Sequence, residues 1–442
     1  VPLEPPPTVT VQGNSDGADG SEAYVDRLDH NRVEGAVGGG FYLSSMAGPR
    51  CRLQGYDADM INLATNDFLG LVGSEKIREA CDQTLRQFGC GSCGPRGFYG
   101  TTVHHLACEK RIARFLGTDE AILYSFGPAT ASSVVPAFAK RGDLIVADEA
   151  IGFSMQNGIV MSRAAVRWFR HNDTKDLERI LLEVEEQDSK TRDWIWERGQ
   201  MKQRRFILTE AISGKYGDIA PIVEIVGLKH RFGYRLVLDE SFSVGVLGAT
   251  GKGVCDEFDL LRSDIEITVV DAGNALASIG GVCVGDHDVV SRQRLYGAGY
   301  CFSASQPPFL AVALTQAAEV LDEEGSERIC KLRENIAVFR EAILPLRSLP
   351  GVSMSSDPKS PLIFISFTEG DMVSRQQRVY TLQRKLVEEH GIYVDVPRYV
   401  EQEKSIPDPG IRVALSSAHT RDDLQCAAVK ITDVVTSVSR EE

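Results

Sequence analysis

The chain has 442 residues and a formal net charge of −14, with no basic tract. That excludes a nucleic-acid protein, since such binding rests on Lys and Arg neutralising phosphates, but leaves room for lipid or CoA handled by one local patch. Hydrophobic residues at 43% and charged residues at 25% are ordinary globular proportions, and the length exceeds what one core usually holds, which predicts one large domain and one smaller one.

Residues 1–35, with PLEPPP and GNSDGADGSE, read as an extended or disordered arm. The first residue is Val1, so a membrane anchor is expected in a segment upstream. No apolar run in the chain is long enough to span a bilayer. From about residue 60, short apolar runs alternate with amphipathic stretches. Strands are expected at 121–125, 144–148, 165–169, 205–210, 235–240, 266–271 and 281–285, with helices between most of them, for example at 75–88, 104–116, 173–187 and 221–232. Several runs are apolar throughout, as strands covered on both faces are. The alternation predicts an α/β fold with a large, doubly wound, mostly parallel sheet. The stretch 189–204, with its charges and two tryptophans, reads as an inserted surface helix or loop. Two helices are expected at 308–324 and about 326–347. Strands at 361–367, 392–396 and 411–416, with helices at 373–389 and 420–438, predict a small α+β C-terminal domain. The expected division is an arm and lead-in at 1–59, the large domain at 60–347 and the small one at 348–442.

Ten cysteines in a chain of this length do not form a disulfide framework and read as reduced thiols facing a cytosol. Cys90 and Cys93 make one Cys-x-x-Cys without a second ligand pair, so no metal site is expected, and two small residues in a tight loop is the simpler reading. The histidines form no cluster with metal-ligand spacing.

In a doubly wound sheet, ligands sit at the carboxyl ends of the strands. The run RLVLDE ends in Asp239 and Glu240, and an acid emerging there can keep a ring nitrogen protonated, although such residues more often cap or anchor a loop. The order of blocks is more specific: GSCGPRGFYGTTVHHLACE (91–109), LYSFG (123–127), FRHND (169–173), TEAISGKYGDIAPI (209–222), LDESFSVGVLGATGKG (238–253), GNALASIGG (273–281), YCFSASQPP (300–308) and IRVALSSAHT (411–420). From about residue 60 to the C-terminus the series resembles the α-oxoamine synthase family of fold-type I pyridoxal phosphate (PLP) enzymes. GPRGFYGT, GVLGATGKG and CFSASQPP resemble the lysine-lacking long-chain-base subunits of serine palmitoyltransferase within it.

The departures from the catalytic pattern carry as much information. The resemblance places the Schiff-base lysine at Asn274, whose amide nitrogen is not nucleophilic. A phosphate-binding Thr falls at Asp271, and a carboxylate about 4 Å from a phosphate costs on the order of several kcal/mol at an effective dielectric near 20. The His of Asp-Glu-Ala-His-Ser is Phe242, and the ring-stacking His falls near Gly152. Asp239 persists. These positions therefore read as a vestigial cofactor site, with no catalytic residue in this chain. Lys252, between Gly251 and Gly253, reads as part of an exposed turn rather than as a substitute lysine.

In such families the active site lies at a dimer interface, and two loops here match those that reach a partner's site. In 91–101, Cys93, Arg96 and Tyr99 are candidates: Arg96 for a phosphate or carboxylate, Tyr99 for an aromatic face and a hydroxyl. The alternative is a structural turn with Arg96 in a surface ion pair. In 301–308, Ser303 and Ser305 are candidates for the partner's cofactor phosphate, or for a helix N-cap ahead of Pro307 and Pro308. His105 and His171 read as helix-start residues, and Arg412 as either a substrate-carboxylate ligand or a strand-edge residue.

The resemblance implies a heterodimer with a lysine-bearing catalytic subunit that holds PLP, condensing L-serine with palmitoyl-CoA to 3-ketosphinganine on the cytosolic face of the endoplasmic reticulum membrane, with room for small regulatory membrane subunits. A self-sufficient PLP enzyme using another lysine and a non-enzymatic scaffold are the alternatives.

Overall fold

Seven strands, in the order β3-β9-β8-β7-β6-β4-β5, form the main sheet of the computed structural model, which describes residues 41–197 and 203–440. They are β3 (Glu120–Tyr124), β4 (Leu144–Asp148), β5 (Ala165–Phe169), β6 (Arg205–Glu210), β7 (Arg235–Asp239), β8 (Ile267–Asp271) and β9 (Gly281–Gly285). Only β9 runs antiparallel to its neighbours β3 and β8; the pairs β5–β4, β4–β6, β6–β7 and β7–β8 are parallel. The expected doubly wound, mostly parallel sheet is therefore what the sequence builds.

The period of two explains why these strands are apolar throughout. In β4, Leu144 and Val146 face one core layer while Ile145 and Ala147 face the other; in β3, Ala121 and Leu123 oppose Ile122 and Tyr124 in the same way. The helices are α1 (Glu75–Phe88), α2 (Val103–Leu116), α3 (Gly127–Phe138), α4 (Phe153–Ser162), α5 (Thr174–Glu197), α6 (Ile222–Phe232), α7 (Val254–Phe258), α8 (His287–Tyr296), α9 (Ala298–Cys301) and α10 (Pro308–Ala342). Helix α5 continues to Glu197, through part of the stretch expected as an insertion; residues 198–202 and the N-terminal arm lie outside the described residues.

Two expected helices after residue 308 are one helix of 35 residues, α10, packed along α1 and α2. Gly325 does not break it. A Cβ there would lie 3.4 Å from Leu321 Cδ2 and from the Thr250 carbonyl, so the glycine serves close packing at a cost of about 1 kcal/mol in helix propensity.

Beyond α10, β10 (Val352–Ser355), β11 (Leu362–Phe367) and β13 (Gly410–Ala414) form an antiparallel sheet with β11 central, against which α11 (Met372–His390) packs, with α12 (Arg421–Ser439) lying against α11 and α10. The strand expected at 392–396 is β12 (Ile392–Val394), and it joins a different sheet. It runs parallel to β2 (Met60–Leu63), which also pairs with β1 (Arg50–Cys51). Gly391, at φ 64°, turns the chain out of α11, and its carbonyl accepts from Ile61 N at 2.9 Å. Among the described residues, no helix is long and apolar enough to cross a membrane.

Candidate functional site

Parallel strands place their last residues side by side. Asp148, Glu210, Asp239 and Asp271 end β4, β6, β7 and β8, so four acids line the carboxyl edge of the sheet. Glu210 and Asp239 are direct register partners. Glu210 Oε1 accepts from Gly152 N at 2.7 Å and Oε2 from Gly214 N at 3.0 Å. Asp239 Oδ1 accepts from Ser241 N at 2.8 Å. Burial and the neighbouring Asp239 charge push the Glu210 carboxyl well above the usual range, against the pull of its two N–H donors. Burial also pushes Asp239 up, with the charges of Asp271 and Glu240 adding to it and the Ser241 hydrogen bonds opposing it. In such a buried pair the charge on one carboxyl makes its neighbour harder to ionise.

The segment from Asp271 to Gly281 loops over this edge. Asn274 Oδ1 accepts from Asn66 Nδ2 at 2.7 Å, and Asn274 Nδ2 donates to the Ser241 carbonyl at 3.1 Å. The carboxamide is thus a cross-tie between three segments. Ala275 and Ala277, at φ 58° and 48°, sit in the left-handed region, at a cost of about 1 kcal/mol each. Asp271 Oδ1 accepts from Gly273 N at 2.7 Å, while its Oδ2 lies against the first residue of α3: a Cβ on Gly127 would be 1.9 Å from it. At the start of α4, a Cβ on Gly152 would fall 2.6 Å from Glu210 Oε1, so a His cannot stand there unless Glu210 moves. The Phe242 ring packs on Gly214, where a Cβ would lie 2.8 Å from Cε2.

These residues do not fit pyridoxal phosphate as the catalytic pattern would hold it. Position 274 offers no amine, position 271 presents a carboxylate, and position 152 brings no ring.

The two loops expected to reach a partner's site lie against each other. Ser305 N donates to the Gly94 carbonyl at 2.9 Å, and the Ser305 hydroxyl lies 2.9 Å from Gly94 O and 2.7 Å from Gly100 O. Ser305 therefore ties the loops together rather than presenting its hydroxyl to a phosphate, because two carbonyls inside the protein claim it. Arg96 likewise turns inward. Its Nη2 is 2.9 Å from Glu109 Oε1 with both side chains buried, its Nη1 donates to Leu123 O at 3.3 Å, and its Nε donates to Thr101 Oγ1 at 3.0 Å. This is neither the expected ligand-facing guanidinium nor a surface ion pair, since its carboxylate partner, Glu109, sits inside on α2. Ser303 donates to Gly299 O at 2.5 Å. Cys93 is exposed, at φ 57°. Phe98, Tyr99 and Phe302, from the same two loops, are exposed to 73%, 95% and 86%.

His105 caps α2: its Nδ1 accepts from Thr102 N at 3.0 Å and its Nε2 donates to Gln306 O at 2.7 Å. Burial lowers it to about 4, so it stays neutral. Arg412 pairs with Asp395 at 2.9 Å on the edge strand β13. Lys252 points at the Phe115 ring, 5.8 Å from its centroid. Its neighbours Gly251 and Gly253 are buried, which corrects the expected exposed turn: their φ values of 76° and 84° fold the loop inward.

Sequence reasoning missed two networks. His171 sits between Asp148 and Asp218, with Nδ1 2.8 Å from Asp148 Oδ1, Nε2 2.9 Å from Asp218 Oδ1, and its ring stacked on Tyr216. Lys215 and Glu403 form a buried pair. No local pattern signals these pairings; only the topology brings the residues together.

A mostly parallel sheet whose carboxyl edge carries Asp239 and the Asn274 loop belongs to the fold-type I PLP-enzyme architecture. Residues 58–431 match the family model "Aminotransferase class I and II", and the chain belongs to that family. It is 39% identical over 398 residues to long chain base biosynthesis protein 1c of Oryza sativa subsp. japonica, covering 90% of this chain and 80% of the relative. It is 38% identical to serine palmitoyltransferase 1 of Dictyostelium discoideum, covering 83% and 75%. Among solved structures it resembles a serine palmitoyltransferase from S. paucimobilis with a bound PLP–myriocin aldimine, with a TM-score of 0.78 and 22% identity over 95% of this chain and 98% of that one.

Proposed function

We propose that this chain is the lysine-lacking subunit of serine palmitoyltransferase, inactive alone and required by a lysine-bearing partner that holds pyridoxal phosphate. The pair condenses L-serine with palmitoyl-CoA to 3-ketosphinganine in sphingolipid synthesis. The single observation that carries this reading is Asn274: an amide nitrogen is not nucleophilic, and here both ends of the carboxamide are already hydrogen-bonded. The exposed aromatics Phe98, Tyr99 and Phe302, next to the interlocked loops around Cys93 and Ser305, support a protein partner on that face, since aromatic residues are enriched at interface cores. The relatives' names support the reaction. We place the complex on the cytosolic face of the endoplasmic reticulum membrane, where small regulatory membrane subunits would join it.

Co-expression with a lysine-bearing relative, assayed for condensation of serine with palmitoyl-CoA, tests the reading. Activity is expected only when both chains are present. Activity of this chain alone would end it, as would full activity of the partner without it.

A further inference from the structure

We infer that Asp271 fills this chain's own phosphate seat, so that the cradle is closed from within to phosphate-bearing ligands. The inference deepens the proposed function and rests on it for taking this edge as a cofactor cradle. Helix α3 begins directly after β3, at the carboxyl edge, and runs for 12 residues. A helix N-terminus carries unpaired N–H groups and positive partial charge, which makes it a natural anion seat. Phe126, at its N-cap, supplies no side-chain hydrogen bond. The anion comes from across the loop instead.

Asp271 is held there at three points. Its N–H donates to Ser241 Oγ at 3.0 Å, its Oδ1 accepts from Gly273 N at 2.7 Å, and its Oδ2 is packed on Gly127 more closely than any Cβ would permit. Burial raises the carboxyl above the usual range, and the Gly273 N–H opposes that shift. A second anion placed beside this carboxylate meets like-charge repulsion on the order of a thousandfold in affinity at an effective dielectric near 20. Asn274 removes the covalent link; Asp271 removes the room and the charge balance for the phosphate. Restoring the amine alone is therefore insufficient.

The test uses the full chain and its D271N, D271T, N274K and D271T/N274K variants, titrated with pyridoxal phosphate and with pyridoxal, then reduced with borohydride and peptide-mapped. D271T is expected to bind pyridoxal phosphate at least about tenfold more tightly than the wild type, with pyridoxal, which has no phosphate, unchanged. N274K alone is expected to remain unlabelled at position 274, and the double variant to be labelled there. D271N keeps the acceptor for Gly273 and reports on the charge if D271T folds poorly, which thermal melts reveal. Equal affinity of the wild type, D271N and D271T for pyridoxal phosphate would overturn this inference alone, as would labelling of N274K. Labelling of the wild-type chain on one of its own lysines would overturn both this inference and the helper-subunit reading.

Discussion

Lys215 Nζ and Glu403 Oε2 meet at 2.6 Å, with each side chain only 5% exposed. The turn after β6 is thereby joined to the segment between β12 and β13. Lys215 also donates to the Ser405 carbonyl at 2.8 Å, the Tyr216 and Ser405 hydroxyls lie 3.1 Å apart, and Lys404 N donates to Gln156 Oε1 at 2.9 Å. Residues 399–405 form a strap held against the same turn whose Gly214 N–H reaches Glu210. Removing one member of a buried pair leaves an uncompensated charge, whereas replacing both with apolar groups does not. Lys215→Met is expected to cost about 3–5 kcal/mol in urea unfolding, and K215M/E403L clearly less. A single-variant loss below about 1 kcal/mol, as for exposed pairs, would mean that water reaches the pair.

His171 gives a pH prediction with a definite sign. Burial alone would lower its pKa, but the hydrogen bonds and charges of Asp148 and Asp218 outweigh burial and raise it to about 10 from an ordinary 6.5. A raised folded-state pKa means the protonated ring stabilises the fold. That contribution is complete below the unfolded value of 6.5 and is lost as pH rises through about 10. His171→Gln leaves the two carboxylates facing each other and is expected to cost about 3 kcal/mol near pH 6. The difference from the wild type should shrink steadily between pH 7 and 10. A gap that stays constant across that range in denaturation curves would show the ring to be neutral in the folded protein.

The fold was legible because its signal is local. The apolar run of β4, the limits of β5 and α1, and the strand-helix alternation are read from periodicity. What stayed hidden depends on the fold bringing distant residues together. Arg96 lies 13 residues from Glu109, and nothing in GPRGFYGT tells whether its guanidinium faces out or in. His171 is 23 positions from Asp148 and 47 from Asp218, so its sandwich appears only once β4, β5 and the turn after β6 are side by side. The break expected at Gly325 failed for a related reason: a glycine that ends a helix and one that admits a neighbour look alike in sequence. At the site itself, the substitutions at 152, 242, 271 and 274 were readable through the family resemblance, but the seating of Asp271 on Gly127 was not.

Cys93 is exposed in the loop proposed to face the partner, and its backbone is already in the left-handed region at φ 57°. A Trp there adds bulk toward the partner without disturbing this chain's core, so stability of the isolated chain should change by less than about 0.5 kcal/mol. In the complex, small displacements near reacting groups cost far more. C93W is expected to lower serine turnover on the order of tenfold, or to raise the alanine-to-serine ratio. Steady-state kinetics with both amino acids check this, and unchanged values for both would remove the loop from the mechanism.

Arg96 separates two accounts of that same loop. As a ligand-facing residue it would leave this chain's stability unaltered when changed and raise the substrate KM of the complex. As the internal brace seen here, bonded to Glu109, Leu123 and Thr101, it should act first on folding. Lysine keeps the charge but lacks the planar fork that serves three acceptors at once. Arg96→Lys is therefore expected to destabilise the isolated chain by about 2 kcal/mol, and Arg96→Leu, which strands the buried Glu109 carboxylate, by about 3–5 kcal/mol. Adding Glu109→Leu to Arg96→Leu should recover part of the second loss. If both single variants melt like the wild type while KM rises, the guanidinium reaches out of this chain, and the inward pairing does not describe the protein in its complex.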